Sequence, residues 1–127
     1  MAEAEEQAGA AYDFKNLKTW QVAMDLVEQV YRLTEGFPKH ELYGLGGQMQ
    51  RAAVSVPSNI AEGHAKDTKQ EYWRGLICAR GSMAELETQL LIAVRVNYLP
   101  AEAPIFAQLK LCYRLLHGLM ASVKKRS

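Results

Sequence analysis

Four stretches of the chain repeat their apolar residues every three or four positions, the period of an amphipathic α-helix. In the first, Leu17, Trp20, Met24, Val27 and Tyr31 make the stripe, and Leu26, Val30 and Leu33 widen it. A stripe this wide faces more than one neighbour. It runs into Thr34-Glu35-Gly36-Phe37-Pro38, which reads as a stop. Gly36 suits a left-handed cap, Phe37 can fold back on the last turn, and Pro38 cannot continue a helix. The second stripe is Leu45, Met49, Ala52, Val56 and Ile60. Gly44, Gly46 and Gly47 would each cost about 1 kcal/mol inside a helix. The helix is therefore expected to begin around them, after an irregular turn at residues 39–43, and to stop at Gly63.

The third stretch opens on Thr68 to Glu71, a capping-box pattern in which the Thr68 hydroxyl takes the Glu71 amide and Glu71 reaches back. Tyr72, Leu76, Ala79, Met83, Leu86, Leu90 and Val94 follow, with Asn97 and Pro100 as stops. The fourth runs Ile105, Leu109, Cys112, Leu116, Leu119 and Val123 behind Pro104. Lys124, Lys125 and Arg126 suit the negative end of its dipole. Nothing alternates convincingly as a strand, and the connections are about four to seven residues, as between antiparallel neighbours in bundles. The pattern predicts an all-α, antiparallel up-down-up-down four-helix bundle over residues 14–127. Residues 1–13 have no apolar period and read as a flexible acidic tail. Antiparallel pairing of helices 2 and 3 would set Gly46 and Gly47 near Glu85 and Ala84, and Arg51 near Arg80. Gly81 and Ser82 would lie within a turn, so close helix packing is expected there.

One segment resists the simple helical reading: "RAAVSVPSNIAEG", Arg51 to Gly63. Arg51, Ser55, Ser58 and Glu62 form a polar stripe with Asn59 beside it, while Ala52, Val56 and Ile60 take the core side. Pro57 lacks an amide donor and crowds the Ala53 carbonyl, which predicts a kink costing about 3 kcal/mol unless relieved. Ser55 or water would then meet the freed carbonyl. The alternative is a true break, with Ser55 capping a short second helix. The residues leave open whether the polar stripe faces helix 3, a neighbouring subunit or solvent.

Charge adds a second layer. The 127-residue chain has a formal net charge of +1. Glu3, Glu5, Glu6 and Asp13 give its start −4, and Lys124, Lys125 and Arg126 give its end +3. That is not the dense basic face of a strong autonomous nucleic-acid binder. Arg51, Arg74, Arg80, Arg95, Lys110 and Arg114 are candidate nucleic-acid contacts on an assembled surface; the plainer reading is a solvated exterior. Tyr31, Tyr72, Trp73 and Tyr113 are candidate inter-subunit contacts, against ordinary core or flank placement. Cys78 and Cys112 lack metal-site spacing and read as small buried apolar residues. No secretory leader or membrane-length apolar run is visible, so the expected compartment is the cytoplasm, with no membrane association. A metal-dependent enzyme would have to act through Glu62, His64 and Glu85. No Ser/Cys–His–acid spacing, HExxH or paired Glu-x-x-His supports it. His40 and His64 fall at helix termini and His117 on a helix flank. No catalytic, metal or cofactor site is expected.

With the helices placed, "FKNLKTWQVAMDLVEQVYRLTEGFP", "YGLGGQMQRAAVSVPSNIAEG" and "GSMAELETQLLIA" resemble the 23S rRNA intervening-sequence protein family. The match covers residues 14–99 and continues weakly into helix 4. The resemblance implies a bacterial four-helix bundle that assembles into a ring, typically a pentamer, with no assigned catalytic residues. Pro57, Asn59, Glu62, Gly63, Ser82 and Glu85, with Arg51 and Ser55, become structural markers. It also implies kinship with accessory proteins of diversity-generating retroelements, which bind a reverse transcriptase and nucleic acid. That branch is strongly basic, and this chain is not. The expectation is a non-enzymatic homo-oligomeric scaffold in a nucleic-acid-containing complex. The alternative is a direct RNA- or DNA-binding accessory protein.

Overall fold

The computed structural model describes residues 13–126, so the acidic tail expected over 1–13 lies, except for Asp13, outside the described residues. Among these residues there are four α-helices and no strand: α1 Lys18–Thr34, α2 Leu45–Ala65, α3 Lys69–Arg95 and α4 Ile105–Lys124. Single 3-10 turns at Phe14–Asn16 and Lys39–Glu41 precede α1 and α2.

The helix ends follow local chemistry. Thr68 Oγ1 accepts the Glu71 amide at 3.2 Å, so half of the capping box forms. The other half does not: the Glu71 carboxylate turns to Lys66 at 3.6 Å and Arg74 at 3.4 Å. Just past the end of α3, Asn97 takes the left-handed conformation (φ 67°). The Tyr98 amide bonds Ala93 O at 2.9 Å and the Asn97 amide bonds Val94 O at 3.1 Å, the paired bonds of a Schellman cap. Gly36 does not take the left-handed cap expected of it. α1 instead tightens, with Gly36 N donating to Leu33 O at 3.2 Å and Phe37 N to Thr34 O at 3.1 Å. Phe37 is buried against Tyr98, beyond α3, with ring centroids 5.2 Å apart.

The core of α2, α3 and α4 is nearly the one the spacing predicts; Met49, Val56, Ile60, Leu76, Met83, Leu86, Leu90 and Leu116 are fully buried. α1 differs. Its core face is Val22, Ala23, Leu26 and Val30, whereas Met24 and Tyr31 of the leading stripe are 43% and 44% exposed. α1 carries two apolar faces about 100° apart, the rotation of a single residue, and the second of them meets the core. Cys112 is buried as expected, but Cys78 is exposed.

The closest helix approach is not where it was expected. A Cβ on Gly75 would stand 2.6 Å from the Asn59 carbonyl oxygen and 2.9 Å from Gly63 Cα. One on Gly63 would stand 3.0 Å from Gly75 Cα. Gly63 therefore does not stop α2, which runs on to Ala65; it lets α2 and α3 touch backbone to backbone. Lys66–Thr68 alone join the two helices, so they must converge at this end. Gly46 and Gly47 instead pack on the Glu41 and Leu42 carbonyls, and a Cβ on Gly81 would meet nothing within 4 Å.

α2 is unbroken through Pro57, so Ser55 caps no second helix. Nor does Ser55 turn to the Ala53 carbonyl: its hydroxyl donates to Ala52 O at 2.8 Å, while Asn59 Nδ2 donates to Ser55 O at 2.7 Å. Helix interiors are tied by Gln50 Nε2 donating to Thr34 Oγ1 (2.9 Å), Thr19 Oγ1 to Leu115 O (3.2 Å) and Gln108 Nε2 to Val22 O (3.2 Å).

Candidate functional site

The polar stripe of "RAAVSVPSNIAEG" faces outward. Arg51, Ser55 and Ser58 join Tyr31 of α1, Val54 of α2 and the Leu42–Tyr43 turn around an open groove of about 630 Å³. Past Val54 and Ser58 it continues into a depression of about 280 Å³ walled by Trp20, Met24, Val27, Pro57 and Ala61. The combined floor is mostly apolar because the surplus face of α1 forms one wall. Tyr43, at 90% exposure, stands proud of the rim. Glu62 lies beyond the groove, exposed and paired with Lys66 at 3.4 Å.

Glu41 fixes the groove's upper turn. Its Oε1 accepts the Leu45 amide at 3.1 Å and its Oε2 accepts the Tyr98 hydroxyl at 2.9 Å. These bonds, the Leu45 amide foremost, hold its carboxyl below the ordinary carboxylate value. The same bond to Glu41 raises the Tyr98 hydroxyl.

A second apolar face lies on α3. Ile77 and Leu91 are 40% and 51% exposed, and Ile92 and Val96 are exposed beside them. Gly81, Ala84 and Thr88, also exposed, continue the stripe between Ile77 and Leu91 at alternating four- and three-residue steps.

The residues proposed for subunit contact divide. Tyr31 lines the groove. Tyr72 is 5% exposed and belongs to the core; burial raises its hydroxyl, which has no hydrogen-bond partner among the described residues. Trp73 and Tyr113 are half-buried against the core, Tyr113 donating to Glu87 at 3.4 Å. Leu42, Tyr43, Val54, Ile77 and Leu91 escape the sequence pattern. For the last three the available signal is a β-branched or aliphatic side chain just off the core stripe.

Of the basic residues singled out, Arg74 pairs with Glu71. Arg51, Arg80, Arg95, Lys110 and Arg114 are exposed without an ion pair among the described residues. α4 stands apart. From Ile105 to Arg126 there is no acidic residue, while Lys110, Arg114, Lys124, Lys125 and Arg126 are all present and exposed. The absence of acid is visible in the sequence, but there the terminal three residues account only for the helix dipole. Arg126 also lies over the Tyr72 ring, 5.5 Å from its centroid, and its carbonyl accepts from Lys69.

Glu62, His64 and Glu85 do not converge. His64 packs edge-on to Tyr72 at 5.2 Å near the glycine crossing. Glu85 sits about 15 Å further along α3 from Gly75 and accepts from Gln89 Nε2 at 3.3 Å. Among the described residues no three His, Cys, Asp or Glu side chains gather as a metal site. Burial pushes the Cys112 thiol up to about 11.

The model of the 23S rRNA-intervening sequence protein family matches residues 15–118. The chain belongs to that family. No curated protein matches it. In this member of the 23S rRNA-intervening sequence family, the matched span holds the groove, the glycine crossing and the α3 stripe, and it ends within α4 at Gly118. Lys124, Lys125 and Arg126 lie past it. Among the described residues no helix is long and apolar enough to cross a membrane.

Proposed function

We propose that this 23S rRNA-intervening sequence protein is a non-enzymatic, homo-oligomeric scaffold within a nucleic-acid-containing complex of the bacterial cytoplasm. The observation that carries the reading is the pair of exposed apolar faces, the α1–α2 groove and the α3 stripe. The bundle leaves both partly open, and exposed apolar surface of this kind marks interaction sites. Five copies is the number the family resemblance suggests. The protomer behind it is an antiparallel up-down-up-down bundle. Support comes from the residue pairs Thr19–Leu115 and Val22–Gln108, whose numbers run in opposite directions on α1 and α4. A bend in α2 near Pro57 completes the protomer, favoured by the proline's missing amide. Sedimentation at micromolar concentration tests the assembly: a multiple of the protomer mass is expected, and a monomer overturns the reading.

The acid-free basic face of α4 favours a second reading, direct binding of RNA or DNA, as in an accessory protein to a reverse transcriptase. Backbone phosphates are the groups such a face recognises.

A further inference from the structure

We propose that the outer face of α3 on one copy seats in the α1–α2 groove of the next copy. This rests on the homo-oligomeric reading above and adds which surfaces meet.

Three observations point to a second copy as the occupant. The first is dimension. From Ile77 to Leu91 the ridge is about 21 Å long, and the groove wall from Trp20 to Tyr31 is about 16 Å before the Leu42–Tyr43 turn extends it. The second is relief. Gly81 leaves a notch in the ridge, with nothing within 4 Å of an added Cβ, while Tyr43 projects from the groove rim at 90% exposure. Leu42 beside it is 58% exposed.

The third is charge. The Gln50–Thr34 bond brings α1 and α2 level at these residues. Arg51 lines the groove on its α2 side, and Glu35, one turn beyond Tyr31, lies on its α1 side where it meets the depression at Leu42. Both are exposed and without an ion pair among the described residues. On α3, Arg80 precedes Gly81 and Glu85 follows Ala84, so they flank the ridge on opposite sides. Neither has an ion pair among the described residues. A ridge with one basic and one acidic flank lies in a groove with one acidic and one basic rim. Arg80 then faces Glu35, and Glu85 faces Arg51. The pairing also fixes the ridge's direction, because reversing it would put like charges together.

The ridge belongs to α3 and the groove to α1 and α2, so the contact is heterologous: each copy gives one face and receives on the other. Such contacts propagate around a closed ring when the rotation between copies allows.

Two single substitutions at exposed positions, Val54→Asp in the groove and Leu91→Asp on the ridge, test this in the full chain. Circular dichroism melts establish that each variant keeps its helices. By sedimentation, wild type is expected to be oligomeric and each variant alone monomeric. An equimolar mixture is expected to give a 1:1 pair, because one intact ridge and one intact groove remain between the two. If the mixture stays monomeric, or either variant alone forms dimers or keeps the wild-type size, the ridge-in-groove contact is overturned while the homo-oligomeric reading stands. A monomeric wild type overturns that reading itself.

Discussion

Glu41 ties the start of α2 to the segment after α3 through its two carboxylate oxygens, one on the Leu45 amide and one on the Tyr98 hydroxyl. Both bonds favour the charged form, and the folded carboxyl accordingly ionises below its ordinary value. Its contribution is therefore complete above the unfolded value of about 4.3 and is lost as pH falls through the lower folded value. Glu41→Gln should lower the melting temperature near neutral pH. The gap between variant and wild type should close as pH is brought below 4. Thermal melts across that range check it; a gap independent of pH would show that the charge is not involved. Little of this is readable in the sequence. Tyr98 is 57 residues from Glu41, and "KHELY" by itself suggests only an irregular turn.

Helix existence and type are plain from the apolar spacing, and in α2, α3 and α4 the best-spaced stripe is the one that meets the core. α1 is harder. It carries two apolar faces, and periodicity alone cannot say which one meets the core. The better-spaced face is only partly covered, with Met24 and Tyr31 left exposed, and that surplus is what makes the groove. Glycines mislead for a related reason. Spacing marks where a Cβ is missing but not what stands opposite, so Gly46, Gly47 and Gly81 draw attention that belongs to Gly63 and Gly75. Gly75→Ala would bring a methyl within 2.6 Å of the Asn59 carbonyl, where only backbone can yield. It should destabilise the bundle by about 1–3 kcal/mol or more. Gly118→Ala, on α4 with nothing within 4 Å, should instead stabilise by up to about 1 kcal/mol. Urea unfolding of the two variants checks both signs. A neutral Gly75→Ala would mean that the crossing relaxes freely.

At the scale of the whole molecule a net charge of +1 conceals its distribution. The compensating acids lie in residues 1–13, on the first three helices and in the segments between helices, and α4 has none. Composition cannot disclose this, because it depends on which helix carries which sign. If α4 meets nucleic acid, affinity should fall linearly with the logarithm of salt. Neutralising Lys110, Arg114, Lys124 and Lys125 together should flatten that slope by about 0.7–0.9 for each phosphate that no longer meets a cation. Lys39→Ala, in the turn before α2, should leave it unchanged. Titrations with RNA and DNA between about 50 and 200 mM salt read the slope directly. Absence of binding at the low end would overturn the nucleic-acid reading and leave the scaffold intact.

The glycine crossing also sets an order of assembly. Gly63 and Gly75 are only twelve residues apart, whereas the Thr19–Leu115 bond between α1 and α4 closes 96. That is three doublings of loop length, about 2 kcal/mol of additional closure entropy. The α2–α3 pair is therefore expected to close first and to give α1 and α4 a surface on which to dock. In native-state hydrogen exchange the amides flanking the crossing should be the last to open, and those of α1 should exchange ahead of them.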